Sequence, residues 1–358
     1  MKNLNSPFKN NNDKPILITG PCSAETLDQV LSTAKELKEN NTCTYFRSGI
    51  WKPRTRPNSF EGVGESGIPW LLEVKKQFGF PVATEVANKH HLEACLKNGI
   101  DLVWIGARTT ASPFAMQELA DVLQGVDIPV LVKNPVNAEL NLWIGGMERL
   151  HKAGVKQIGA IHRGFSGIEN SIYRNLPMWN LSMELKRIHP EIPVICDPSH
   201  ICGRREPLAK ISQYAMDIGL DGLMIETHID PSSALSDAGQ QITPSTLKEL
   251  VNGLIVKSEK GNHKAFEHGL EFLRAKIDRL DDELITLLQQ RGEVAKEIGE
   301  LKSKEKVTIF QQARLDELLE LRKTQAAKCG VSEEFVDKMF HLIHEESVRI
   351  QLEQKKKS

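Results

Sequence analysis

Residues 194–205 read V-I-C-D-P-S-H-I-C-G-R-R. A short apolar run breaks off at Asp197-Pro198, and His200, Gly203, Arg204 and Arg205 follow. An acid, an imidazole and two guanidiniums placed directly after a buried run suit proton transfer, metal ligation or anion binding. The pattern returns at 222–228, where an apolar run meets Glu226-Thr227-His228. Earlier in the chain Cys22, Arg47, Glu85, Arg108, Lys133 and Arg163 each close a short apolar run. One such residue alone would be solvent-facing decoration. Repeated in phase, they fit the C-terminal face of a parallel barrel, where active sites sit.

Two groups of chemistry emerge. The first is cationic: Lys52, Arg54, Arg108, Lys133 and Arg163, with Arg204 and Arg205 adjoining. So many cations at one mouth repel each other unless anions occupy it, and their geometry suits phosphate and carboxylate. The second is Cys22, His200, Glu226 and Asp237. Thiolate, imidazole and carboxylates together suit Mn, Fe, Co or Zn better than Mg. From spacing alone two readings stay open. A free cysteine is usually a small buried hydrophobe, and a loop histidine is often only a hydrogen-bond donor.

The elements that must position these residues are legible as alternating short apolar runs and helical periods. Strands are expected at 15–19, 44–46, 81–84, 102–105, 129–132, 157–161, 193–196 and 222–225. Helices are expected at 26–39, 67–79, 88–98, 112–123, 137–153, 171–188 and 246–257. The count and the span of about 250 residues predict an α/β protein with a (β/α)8 TIM barrel. Residues 1–14 read as a polar N-terminal segment, 15–257 as the barrel, 258–266 as a linker and 267–358 as a small all-α domain.

The last region has a different period. Leu273, Ile277, Leu280, Leu284, Leu287, Arg291, Val294, Ile298 and Leu301 alternate steps of four and three, a heptad seam. A helix carrying it would be about 55 Å long and needs partners. A buried Arg291 requires an anion beside it. Arg314, Leu318 and Leu321 share a face of a second helix. On a third, Val336, Phe340 and Ile343 continue into Ser347 and Gln351, so an apolar stripe ends in polar groups, as a ligand pocket would.

Composition excludes several classes. The chain has 358 residues, 40% hydrophobic and 26% charged, with a formal net charge of −1. That balance offers no overall field for nucleic acid or membrane, and no apolar run approaches a membrane span. The polar, Asn-rich start does not read as a secretory signal, and scattered cysteines without a C-x-x-C pair suit reduced thiols in the cytoplasm.

Several motifs together resemble a known family. G-P-C-S at 20–23, K-P-R-T-R-P-N-S-F at 52–60, I-G-A-R at 105–108, D-P-S-H-x-x-G-R-R at 197–205, E-x-H at 226–228 and A-L-S-D at 234–237 stand in its order. The family is the 3-deoxy-D-arabino-heptulosonate-7-phosphate (DAHP) synthases, in the subgroup close to 3-deoxy-octulosonate-8-phosphate synthases. The resemblance implies a divalent metal held by Cys22, His200, Glu226 and Asp237. It implies phosphoenolpyruvate held by Lys52, Arg108, Lys133 and Arg163, and erythrose 4-phosphate held in part by Arg54 and Thr55. Glu85 or His228 would manage the water or a proton. Two departures are His162, where relatives carry an acid, and Asn134-Pro135, where an Arg-Gly is expected. Lys52-Pro53-Arg54-Thr55 argues against the octulosonate group, which carries Asn and Ser there.

The stretch from about 269 to 353 resembles the all-helical chorismate mutases, which are intertwined dimers. Arg274, Arg291, Lys302, Arg314, Ser347 and Gln351 fall on that family's ligand positions. The resemblance implies that Arg274 reaches the partner subunit's site. The departures are Gln311 and Leu315, where the family has acids. The expectation is a bifunctional, cytoplasmic enzyme of aromatic amino acid biosynthesis, a homodimer through its helical domain, inhibited by chorismate or prephenate bound there. The alternative is an octulosonate phosphate synthase barrel with a non-catalytic helical binding and dimerisation module.

Overall fold

The computed structural model describes residues 1, 4–8, 15–52, 59–167, 172–257 and 264–355. The chain divides into two compact units, Met1–Glu259 and Lys260–Ser358. The expected linker falls mostly outside the described residues.

The first unit alternates strands and helices. In chain order it runs β1 (Ile16–Gly20), α1 (Leu27–Asn40), β2 (Tyr45–Arg47), α2 (Ile68–Phe78), β3 (Val82–Val86) and α3 (Lys89–Asn98). Next come β4 (Leu102–Ile105), the one-turn α4 (Ala107–Thr110), α5 (Pro113–Val122), β5 (Val130–Lys133) and α6 (Leu140–Lys152). Then follow β6 (Ile158–His162), α7 (Trp179–Ile188), β7 (Val194–Cys196), the short α8 (Pro198–Cys202), α9 (Leu208–Asp217), β8 (Gly222–Glu226) and α10 (Pro244–Asn252). The strands form a closed parallel barrel in sequence order, with β1 pairing β8. Side-chain oxygens start the helices: Thr26 accepts from Gln29 N, Asn88 from His91 N and Ser112 from Ala115 N. Gly79 and Gly99 end α2 and α3 in the left-handed region that glycine adopts without strain.

The two-residue period of a strand decides what reaches the mouth. Ile18, Tyr45, Ala83, Leu102, Leu131, Ile161, Ile195 and Met224 fill the barrel interior. Their neighbours Leu17, Phe46, Val82, Val103, Val130, Ala160, Val194 and Leu223 pack in the outer core with the helices. Two residues beyond the inner set stand Arg47, Glu85, Trp104, Lys133, Arg163, Asp197 and Glu226, aligned by the same alternation. Gly20 holds the corresponding place on β1, at φ 142°. A Cβ there would lie 2.2 Å from the carbonyl oxygen of Arg47, so only glycine fits.

At the opposite end Phe8, from a segment that reads as polar in sequence, enters the interior cluster. Phe8 is buried and packs edge-on against Tyr45 at 5.7 Å, and the Tyr45 hydroxyl donates to the Pro7 carbonyl at 3.3 Å. Further features differ from expectation: α9 is not among the expected helices, and the helix expected at 246–257 ends at Asn252. Helix 171–188 shortens to α7, because Met178 takes a left-handed conformation that ends regular structure before Trp179. Pro198 does not leave the chain as a loop. It opens α8 at the first helical position, where a missing N–H costs nothing, with Asp197 as the cap.

The second unit is helical: α11 (Lys264–Lys304), α12 (Gln312–Cys329) and α13 (Glu333–Lys355). Helix α13 packs on both α11 and α12. The N-terminal half of α11 keeps its apolar seam outward, with Leu273, Ile277, Leu280, Leu284 and Leu287 all exposed. Among the described residues no helix is long and apolar enough to cross a membrane. Replacing Phe8 by Ala should cost the barrel about 3–5 kcal/mol, as removal of a buried ring usually does. Thermal unfolding checks this, and an unchanged transition would mean that Phe8 adds nothing to the barrel's core.

Candidate functional sites

The charges at the mouth are buried, so each must be matched. Asp197 is fully buried between an ammonium and an imidazole: Lys133 Nζ lies 2.9 Å from Oδ2, and His200 Nδ1 lies 2.8 Å from the same oxygen. Burial would raise its carboxyl pKa, but His200 and Lys133 outweigh burial and hold it well below the ordinary value. With Nδ1 taken by Asp197, the other ring nitrogen of His200 stands 3.9 Å from Glu226 Oε1. Glu226 is also fully buried. Arg47 reaches its Oε1 at 3.3 Å, and Gln240 Nε2 donates to its Oε2 at 2.6 Å. Arg47 and Lys133 lie over the ring of Trp104, at 4.9 and 5.9 Å from its centroid, and Trp104 Nε1 donates to Glu85 at 2.8 Å.

Cys22, Glu226 and Asp237 each offer a ligand atom, all within 4.8 Å of one another. His200 stands at the edge of this set through its approach to Glu226. Burial, with Glu226 adding, pushes the Cys22 thiol up to about 12. Asp237 is held in a left-handed conformation at φ 49°, sparsely populated for a residue other than glycine. Its Oδ1 accepts from Arg174 at 2.9 Å, while its Oδ2 faces the Cys22 sulfur at 3.3 Å. One sulfur and two carboxylates beside an oriented imidazole fit a first-row divalent cation. Such an ion would draw the thiol proton off outright.

The cations converge on the same region. Lys52 Nζ lies 2.9 Å from the Cys22 sulfur and donates to its carbonyl at 2.6 Å. The Arg163 backbone N–H donates to Asn134 Oδ1 at 2.7 Å, and its guanidinium donates to Asn175 Oδ1 at 2.7 Å. Burial, joined by the charges of Arg174 and Arg108 and opposed by Asp197, pulls Arg163 down to about 10. A guanidinium so placed favours an incoming anion. Arg108 itself rides on α4. Arg54 and Thr55 lie outside the described residues. His228 is buried, and its Nδ1 accepts from the Asp230 N–H at 2.9 Å, so its ring braces the loop after β8.

The departures acquire physical content. His162 faces Trp143, Phe165 and Trp179 on the helical side of β6, where burial pushes it down to about 3, so it adds no charge at the mouth. Asn134 is a bracket: it holds Arg163 N and donates to the Gly164 carbonyl at 2.8 Å. Arg174, Asn175, Gln240 and Gln241 were not legible as site residues. Gln241 accepts from Cys22 N at 2.9 Å, and Asn175 donates to the His200 carbonyl at 2.6 Å. Uncharged amides and an arginine in an irregular loop carry no spacing signal.

In the helical unit, Arg291 donates to the hydroxyl of Ser347 and to the Ile343 carbonyl. Lys302 donates to the Ile309 carbonyl at 2.6 Å. Gln351 is buried with Oε1 unpartnered, and its α13 backbone approaches so near Gly299 that a Cβ there would lie 3.1 Å from it. Arg314 pairs instead with Glu317 at 2.6 Å on the surface, and Arg274 lies on the exposed half of α11. Leu315, in the place of the family's acid, is buried as an ordinary core residue.

A closed parallel barrel whose strand ends carry a sulfur–carboxylate cluster ringed by cations has the build of an α/β-barrel enzyme. A sequence profile described as the DAHP synthetase I family matches residues 3–260, and one described as chorismate mutase type II matches residues 273–352. The chain therefore belongs to the DAHP synthetase I family and joins to it a chorismate mutase type II unit. Both are enzyme families. It is 32% identical to the phospho-2-dehydro-3-deoxyheptonate aldolase of Thermotoga maritima over 235 residues, 66% of this chain and 67% of that one. It is 32% identical over 271 residues to a 2-dehydro-3-deoxyphosphooctonate aldolase of Campylobacter jejuni, 68% of this chain and 97% of that one. The crystal structure of the Thermotoga DAHP synthase superposes with a TM-score of 0.59 at 29% identity, covering 67% of this chain and 68% of that one. A truncated form of the Thermotoga enzyme gives 0.57 at 27% identity, covering 67% and 85%.

Asp197 touches both halves of the barrel site, so Asp197→Asn should weaken divalent-metal affinity about 10–100-fold by freeing the His200 ring. Calorimetric titration of the metal measures this. Unchanged affinity would show that His200 needs no such support or is no ligand.

Proposed function

We propose that the barrel condenses phosphoenolpyruvate with erythrose 4-phosphate and that the helical unit rearranges chorismate to prephenate, two steps of the shikimate pathway. The observation that carries the first half is Lys52 beside Cys22, 2.9 Å from its sulfur, at a cluster that also contains Glu226 and Asp237. Anion-binding and metal-binding groups thus meet at one point. Cys22, His200, Glu226 and Asp237 would hold a Mn, Fe, Co or Zn ion, whose chemistry there is Lewis acidity toward an aldehyde oxygen. Lys52, Arg108, Lys133 and Arg163 hold the phosphate and carboxylate of phosphoenolpyruvate. Arg54 and Thr55 hold the sugar phosphate. These clamps offset the mutual repulsion of two anions and set the methylene carbon against the aldehyde. The new C–C bond leaves a cationic carbon, water adds to it, and the C–O bond to phosphate breaks. Glu85, which accepts from Trp104, would manage the proton of that water, with His228 as the alternative.

In the helical unit Arg291 and Ser347 form the floor of a dicarboxylate site. Arg274 of a second copy would complete it across the exposed seam of α11, which supports a homodimer. Arg314 must leave Glu317 to join. Lys302 and Gln351 would stabilise the ether oxygen as its bond breaks. We further propose that chorismate or prephenate bound around Arg291 and Lys302 inhibits the barrel, a coupling of about 1–3 kcal/mol in typical allosteric systems. The octulosonate reading is favoured by the Campylobacter likeness, which spans nearly the whole of that relative. Lys52-Pro53-Arg54-Thr55 speaks for the four-carbon sugar.

A chelator should abolish the condensation and leave the rearrangement intact, and erythrose 4-phosphate should turn over faster than arabinose 5-phosphate. Full condensation in metal-free protein would sink the metal site, and equal or better use of the five-carbon sugar would move the barrel to the octulosonate reading. A chain ending near Lys257, and Arg291→Ala in full length, should both keep the condensation and lose inhibition by prephenate. Undiminished inhibition of the shortened chain would put the effector site in the barrel.

A further inference from the structure

Helix α13 carries a polar group that the ligand positions do not include. His344 lies four residues after Phe340, three before Ser347 and seven before Gln351, so it shares their helical face. Its ring meets Phe310 edge-on at 6.0 Å, next to Ile309, whose carbonyl holds Lys302. His344 Nε2 is buried without a hydrogen-bond partner, and so is Oε1 of Gln351, two turns along the same face. Gln351 is 93% buried, being 7% exposed. Buried polar atoms are normally satisfied, so two unpartnered ones on one face call for a ligand that supplies the partners.

The groups that bear on His344 oppose its protonation, and one of them, His341, has Asp337 beside it at 3.7 Å. Arg291 and Lys302 of α11 and His341 of α13 all bear on His344, and Arg322 of α12 bears on Arg291. Arg322 is fixed there by stacking, 5.5 Å over the ring of Phe340. Burial, reinforced by these groups, holds His344 below its ordinary value, which favours the neutral ring in the free protein. A dianion cancels the field that opposes protonation.

We propose that His344 is a further binding residue of the helical pocket and takes up a proton from solvent as a dicarboxylate enters, donating Nε2–H to a ligand oxygen. This rests on the dicarboxylate reading of the pocket. The sign follows from linkage. The bound complex holds the proton more tightly than the free protein, so affinity rises as pH falls from the bound-state value toward the free one. The slope is at most about tenfold per pH unit.

The test is calorimetry of prephenate binding to the full-length protein near neutral pH, in buffers of differing ionisation enthalpy. Wild type should take up a measurable fraction of a proton, and affinity should strengthen severalfold between about pH 8.5 and about pH 6.5. His344→Gln, which keeps a donor but cannot titrate, should bind with neither effect. Binding to wild type without proton uptake overturns the role of His344 and leaves the pocket reading intact, as does equal uptake in His344→Gln. No prephenate binding at any pH removes the pocket reading, and the proposal falls with it.

Discussion

The barrel's mouth depends on a single constraint: charges that are fully withdrawn from water must be matched by partners at contact distance. Asp197 and Glu226 have no exposed surface. An unpaired carboxylate there would cost several kcal/mol. Asp197 therefore binds Lys133 and His200, and Glu226 binds Arg47 and Gln240. The same contacts that satisfy the acids aim the functional groups. His200 turns its second nitrogen toward Glu226 because its first is taken. Removing one partner would strand another.

The fold supplies the spacing. Inner-facing Tyr45, Ala83, Leu131, Ile161, Ile195 and Met224 make a dry layer, and the strand period places Arg47, Glu85, Lys133, Arg163, Asp197 and Glu226 just above it. A low-dielectric floor under a ring of charges strengthens every interaction an anionic substrate makes there. The helical unit solves a related problem by other means. Three of its cations, Arg291, Lys302 and Arg322, are held by a hydroxyl, by carbonyls and by an aromatic ring, with neutral partners in place of acids. Neutral partners leave the charge of those three groups uncompensated.

The strands, their order and the barrel were legible because short apolar runs closed by reactive groups recur at a regular spacing, and local period determines them. The ligand candidates Cys22, Glu226 and Asp237 were legible by chemical type and converge although they are more than two hundred residues apart at the extremes. What was not legible depends on tertiary contact. Phe8 enters the barrel's interior cluster from a segment that is polar overall. Arg174, Asn175, Gln240 and Gln241 act as struts between the candidate ligands, and nothing in their local sequence distinguishes them from surface residues. Asn134 looked like a departure and is a buried bracket. The long α11 was legible from its heptads, and its outward seam is the feature that a single chain leaves unpaired.

The central claim is that the buried sulfur of Cys22 is a metal ligand around which this charge network is arranged. The most direct measurement is the near-ultraviolet absorption of the cobalt-loaded protein. A coordinating thiol is deprotonated and gives a sulfur-to-cobalt charge-transfer band. Wild type should show the band at one equivalent of cobalt, and Cys22→Ser should lose it. A cobalt-loaded wild type without the band would contradict the account, because the ion would then be held away from Cys22.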